Sequence, residues 1–115
     1  MSEQEALRYD KDKLRYDLLP THALASLAEV YTFGAVKYSD NNWRKGMAWG
    51  RCFASCLRHL FAWWRGEDID KESGLPHLSH AAWNIITLME YQRLSIGLDN
   101  REKEGTYDIS SKSVF

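Results

Sequence analysis

Between Gly66 and His80 the chain gathers the residue types that bind cations and move protons. Glu67, Asp68, Asp70 and Glu72 place four carboxylates within six positions, and His77 and His80 follow after a glycine and a proline. Hard carboxylate oxygens suit magnesium or manganese, whereas imidazole is accepted by manganese, iron and zinc. A divalent ion there would bridge phosphate oxygens and activate water. The expected chemistry is a metal-assisted reaction on a phosphate-bearing ligand. A solvated acidic turn, its histidines satisfied by nearby carboxylates, is the plainer expectation for the same residues.

Other candidates lie outside this stretch. Arg51, Arg58 and Arg65 recur every seven residues and line up along a helix, either as a solvated face or as phosphate-binding forks with Arg58 foremost. Glu29 stands off the apolar stripe of its helix and gains a role only if that helix packs beside His77 or His80. Cys52, Cys56 and His59 share a helical side, but their spacing matches no common zinc pattern, and buried apolar cysteines are the simpler reading. No phosphate-cradling glycine loop and no Ser/His/Asp or Cys/His nucleophile is present.

Three helices must position these groups. Pro20-Thr21 opens the first, with Thr21 as cap, and Leu24, Leu27, Ala28, Tyr31, Ala35 and Tyr38 form its apolar stripe up to the turn cluster Ser39–Asn42. Gly34 lies inside it, at a position that could admit a close neighbour. The second runs from about Arg51 to Arg65, with Phe53, Leu57, Leu60, Phe61 and Trp64 as core face and Gly66 as terminator. The third starts around Leu75-Pro76, capped by Ser73, and reaches about Ile96; apolar on most sides, it should be central and buried. His77, His80 and Asn84 share one narrow face of it, at i, i+3 and i+7. We expect an all-α fold: a small bundle of about three main helices, with residues 1–19 as an extended arm and residues 98–115 as a tail, forming one domain over 1–115.

Composition narrows the partners. The 115 residues carry a net charge of -1, giving no general case for polymeric nucleic acid, and no apolar run approaches the ~20 residues of a membrane span. The N-terminus lacks the basic and apolar regions of a secretory signal, and two cysteines four apart on one helix rarely pair, so a reduced, cytoplasmic protein is expected. Five Trp and six Tyr exceed what so small a core hides, which points to a ligand or to a homo-oligomer that completes the bundle. Trp43 and Trp49 fall in a connection, where one could stack on a base.

The ordered string from Lys11 to Pro20, then Phe33-Gly34-Ala35-Val36-Lys37-Tyr38, Asn42-Trp43, Arg58-His59-Leu60-Phe61-Ala62-Trp63-Trp64 and Gly66-Glu67-Asp68 through His77-Leu78-Ser79-His80 resembles the phage dATP/dGTP diphosphohydrolase family of the MazZ type. The likeness covers about residues 8–94 and extends in outline to all-α nucleoside triphosphate pyrophosphohydrolases of the MazG kind. It implies metal-dependent hydrolysis of dGTP or dATP to the monophosphate and pyrophosphate, in the host cytoplasm if the chain is phage-encoded. The MazG acidic pattern is not matched: the second helix offers His59 and Ala62, and the third His77, His80 and Asn84. Ligands therefore do not carry over by position. We expect the metal, Mg or Mn, on Glu29, Glu67, Asp70 and His80, with Glu67, His77 and Arg58 as catalytic groups. Lys13 and Lys37 would join Arg58 on the phosphates, Asn42, Trp43 and Trp63 would line the base pocket, His59 and Asn84 complete the substrate set, and His59 and His77 stand at the phosphate or the metal. The departure also leaves an alternative: a nucleotide-binding sensor, or a phage-encoded inhibitor of a host protein, that binds without turnover.

Overall fold

The computed structural model describes residues 4–103. Among them are three helices, α1 (Thr21–Lys37), α2 (Trp49–Trp64) and α3 (His77–Leu94), with short 3-10 turns at Tyr16–Leu18 and Asn42–Lys45 and no strands. The fold is all-α, as expected. The helix starts differ in detail. Thr21 is the first helical residue rather than the cap, and Pro76 rather than Ser73 occupies the cap position of α3; neither cap makes a side-chain bond. Residues 5–19 are exposed throughout, as an arm would be.

α3 packs against both α1 and α2 and is the central element. Its inward face is largely polar. His77, Ser79, Asn84 and Thr87 are buried beside Ala81 and Tyr91, while Ile85, Ile86 and Met89 are exposed. Buried polar groups need partners, and Thr87, Tyr91 and Asn84 have them. The Tyr31 hydroxyl bonds Thr87 Oγ1 at 3.0 Å, Tyr91 donates to the Trp43 carbonyl at 2.6 Å, and Asn84 donates to Ser55 Oγ at 3.2 Å. Burial pushes the Tyr91 phenol up to about 12, which keeps it a donor.

Two expected core faces are corrected. On α2 the buried residues are Cys52, Cys56 and Ala62, whereas Phe53, Phe61 and Trp64 are exposed, Trp64 by 79%. Small side chains let α2 approach α3 closely: Cys56 Sγ lies 3.7 Å from the Ala81 carbonyl. The large aromatic stripe is left facing away. On α1 the buried residue is Val30, and Leu24 and Tyr38 are exposed. Cys52 and Cys56 are free thiols.

The segment after α3 is tied down rather than trailing. Leu98 bridges Ala48, its carbonyl accepts from Trp49 N at 2.9 Å, and Asn100 Oδ1 accepts from Gly50 N at 2.8 Å. Asn100 thus satisfies one of the first free amides of α2. Gly97 makes this approach possible, because a Cβ there, at φ +82°, would collide with the Met47 carbonyl. The rest of the expected tail, residues 104–115, lies outside the described residues.

Gly34 does not mark a close approach: nothing stands within 4 Å of where its Cβ would be. Replacing Gly34 with Ala removes backbone entropy from the unfolded chain without a clash, so Gly34→Ala should stabilise by about 0.5–1 kcal/mol. Urea denaturation should show a higher midpoint at unchanged slope.

Candidate metal and phosphate site

The acidic connection between α2 and α3 is a built turn. α2 ends at Trp64, and Gly66 just beyond its cap, with a φ of +97°, lets the chain reverse. Ile69 then bridges Pro76, Asp70 N donates to Leu75 O at 2.8 Å, and His77 N donates to Asp68 O at 2.9 Å. This closure swings Asp70 inward over the start of α3, while Asp68 and Glu72 stay exposed.

Three side chains from different elements converge there. His59 from α2, Asp70 from the turn and His77 from α3 place ligand-capable atoms within 4.8 Å of one another. His59 Nδ1 and His77 Nδ1 are 2.8 Å apart, so one donates to the other. Glu67 Oε1 stands 3.5 Å from His77 Nε2, and a carboxylate favours a proton on the nitrogen that faces it. Hence Nε2 carries the His77 proton, and His77 Nδ1 presents its lone pair to His59. That Nε2 is buried with no hydrogen-bond partner. A proton held toward Glu67 while Nδ1 coordinates is the usual arrangement of a metal-bound histidine, so these residues fit a divalent ion.

His80 is engaged elsewhere. Its Nε2 lies 2.6 Å from Ser73 Oγ, which also donates to Asp70 Oδ2 at 2.8 Å and accepts from Leu75 N at 3.1 Å. A hydroxyl has one proton and two lone pairs. With the proton on Asp70, Ser73 accepts from His80 and from Leu75, so His80 Nε2 is used as a donor. Sequence reasoning missed this role of Ser73. Its signal was the Asp70-x-x-Ser73 spacing in a turn, where side chains commonly bond nearby backbone.

The cluster opens onto a cleft of about 1220 Å³ lined also by Lys37, Arg58, Asn42, Trp43 and Asn84. Lys37 Nζ pairs with Glu72 at 3.1 Å across its rim, and the exposed Arg58 lies beside His59 on α2. Trp43 is tied into the fold: Arg44 lies 4.4 Å from its ring centroid, and Tyr31 and Tyr91 flank it. Four expected residues are placed apart from this lining. Lys13 is on the exposed arm, Trp63 packs against Trp64, and Glu67 reaches the site only through His77. Glu29 is exposed on α1 and borders a separate depression with Thr32, Val36 and Leu75. Arg51, Lys45 and Asn100 line the cleft too, and of these only Arg51 belongs to a pattern visible in the sequence.

The neutral forms of His59 and His80 are favoured. Burial, and then the His80 ring stacked 4.5 Å away, lower the His59 pKa; burial lowers that of His80. For Asp70 burial acts upward, but two Ser73 hydrogen bonds and the imidazoles outweigh it, and its pKa is lowered. Neutral imidazole and ionised carboxylate are the forms that bind metal.

In the unfolded chain both histidines titrate near ~6.5. The unfolded state therefore binds more protons below that pH, and stability falls with falling pH until the depressed folded pKa values are passed. Asp70 has the opposite-signed charge but the same direction, in a lower window: its contribution is present above about 4 and is lost below. Urea midpoints of the metal-free protein should drop between pH 7.5 and 5.5, and drop less in His59→Ala.

The family described as dATP/dGTP diphosphohydrolase, N-terminal, matches residues 3–101. A curated dATP/dGTP diphosphohydrolase of Salmonella phage PMBT28 is 30% identical over 80 residues, which is 70% of this chain and 27% of that protein. The chain thus spans about a quarter of the length of the curated relative it matches. No solved structure matches it. With a match that runs from the arm through all three helices to the segment that caps α2, the chain belongs to the dATP/dGTP diphosphohydrolase N-terminal family.

Proposed function

We propose that the cleft binds a deoxypurine nucleoside triphosphate, dATP or dGTP, and hydrolyses it to the monophosphate and pyrophosphate in phage nucleotide metabolism. The observation that carries this is the convergence of His59, Asp70 and His77 at the wall of a cleft whose rim bears Lys37 and Arg58. The name of the phage relative supplies the substrate and reaction. His59, Asp70 and His77 would hold the divalent ion, magnesium or manganese. Such an ion supplies charge neutralisation and polarisation of the phosphate oxygens.

The protein's own groups do the rest. Arg58 presents a planar fork to the phosphate oxygens, and Lys37 adds a point charge once it exchanges Glu72 for the ligand. Glu67 holds the His77 ring in the orientation that presents Nδ1. Asn42 offers an amide at the cleft wall for the base, with Trp43 as the apolar surface beside it. A water oxygen forms the new bond to the α-phosphorus as the bond from that phosphorus to the α–β bridging oxygen breaks; pyrophosphate leaves with that oxygen, and the water's proton passes to solvent. Of the chain's own groups, Arg58 contributes most of the charge stabilisation on which such a transfer depends.

The reading includes a homo-oligomer, with the exposed Phe53, Phe61 and Trp64 stripe of α2 covered by another copy. Light scattering after size exclusion should then give a dimer or larger, and a monomer would refute this part.

With dATP or dGTP and Mn²⁺ or Mg²⁺, chromatography should show the monophosphate and pyrophosphate. Arg58→Ala should lower kcat on the order of 10²-fold, as loss of one well-placed donor does. Lys37→Ala should act mainly on KM. Nucleotide binding with no product formed would favour a sensor instead.

A further inference from the structure

Taking the cleft as the metal site proposed above, we infer that the ion it selects is a first-row transition ion held through two imidazole nitrogens, and that Ser73 is the positioning residue that sets its carboxylate ligand. The first half follows from the donor atoms. Two of the three convergent groups are imidazoles, His59 and His77, facing each other through Nδ1 at 2.8 Å. Ligands about 2.1 Å from one ion and at a right angle stand about 3 Å apart, so once the His59 proton moves from Nδ1 to Nε2 the two nitrogens have the spacing of neighbours on one ion. Ligands on opposite sides of an ion stand about 4.2 Å apart. The widest separation in the cluster, up to 4.8 Å, closes onto one ion with a shift of roughly half an ångström. Magnesium keeps oxygen ligands and several waters, whereas manganese, iron, cobalt and zinc accept imidazole. A site that spends two of its three protein ligands on nitrogen, both on packed helices, discriminates against magnesium.

The second half follows from hydrogen-bond accounting. Asp70 Oδ2 accepts both the Ser73 amide at 3.0 Å and the Ser73 hydroxyl at 2.8 Å, and no such bond falls on Oδ1 among the described residues. The hydroxyl is fixed in turn by His80 at 2.6 Å and the Leu75 amide at 3.1 Å. Every donor and acceptor site of Ser73 Oγ is therefore filled, and its orientation is determined. The carboxylate is turned so that Oδ2 faces the protein and Oδ1 is left for the ion. Carboxylate ligands held this way lose about 10–100-fold in metal affinity when the outer partner is removed.

The test uses the full chain, stripped of metal and titrated with Co²⁺ or Mn²⁺. Pulsed EPR of the Mn²⁺ form should show nitrogen-14 couplings from imidazole, and an equal concentration of Mg²⁺ should leave that signal in place. His59→Ala, at a half-buried position, should lose one nitrogen. Ser73→Ala should weaken Co²⁺ binding about 10–100-fold and alter its visible bands, and Ser73→Thr, which restores the hydroxyl, should recover both. The inference is overturned if Mn²⁺ binds with no nitrogen coupling, if Mg²⁺ displaces it at parity, or if Ser73→Ala keeps the wild-type affinity and spectrum. The wild-type spectrum needs no variant to fold. Hydrolysis with Mg²⁺ and no nitrogen coupling would sink this inference and leave the hydrolase reading; nitrogen coupling with no hydrolysis would do the reverse.

Discussion

Two imidazole nitrogens pressed to 2.8 Å across the α2–α3 contact are the constraint around which the rest of the molecule is arranged. Such a contact holds one proton between the two nitrogens, not two, and burial already disfavours charge on His59. Holding it requires α2 and α3 to be close, which small residues on α2 permit. It also requires a carboxylate nearby to decide which ring carries which proton, which Glu67 does for His77. The turn between the helices is then shaped by the same demand, since it must return Asp70 to the rings that it separates in sequence.

The close approach has a cost in apolar burial. Cys52, Cys56 and Ala62 cover little area, so the largest side chains of α2 face outward and the centre is stitched by hydroxyl and amide hydrogen bonds. A core built this way gains less from area and more from satisfied polar pairs, each modest in net free energy but expensive to leave half-made. It also fixes side-chain orientations more tightly than an apolar core does, because hydrogen bonds are directional. That property suits a site that needs rings held at set angles.

Much of this was legible beforehand. Three helices, the stop at Gly66 and the shared face of His77, His80 and Asn84 followed from spacing alone, because period and punctuation are local signals. What periodicity could not decide was which of two faces of α2 turns inward. Phe53, Leu57, Leu60, Phe61 and Trp64 form the stronger apolar stripe, yet the weaker side with His59 is the buried one. A hydrophobic stripe says that a surface wants cover, not which neighbour supplies it. The same limit explains Glu29 and Ser73. Glu29 had a possible partner on paper and a helix that carries it elsewhere; Ser73 looked like a cap and instead orients an acid, because the turn folds back on itself through the Ile69–Pro76 bridge.

The tie from Asn100 to Gly50 joins residues 50 apart in the chain. A nascent polypeptide that has reached Gly97 already contains α1, α2 and α3, but α2 still begins with amides that lack their Leu98 and Asn100 acceptors. Synthesis must proceed a few residues further before that helix start is sealed, so a short stretch with no regular structure of its own decides when the first amides of α2 are satisfied.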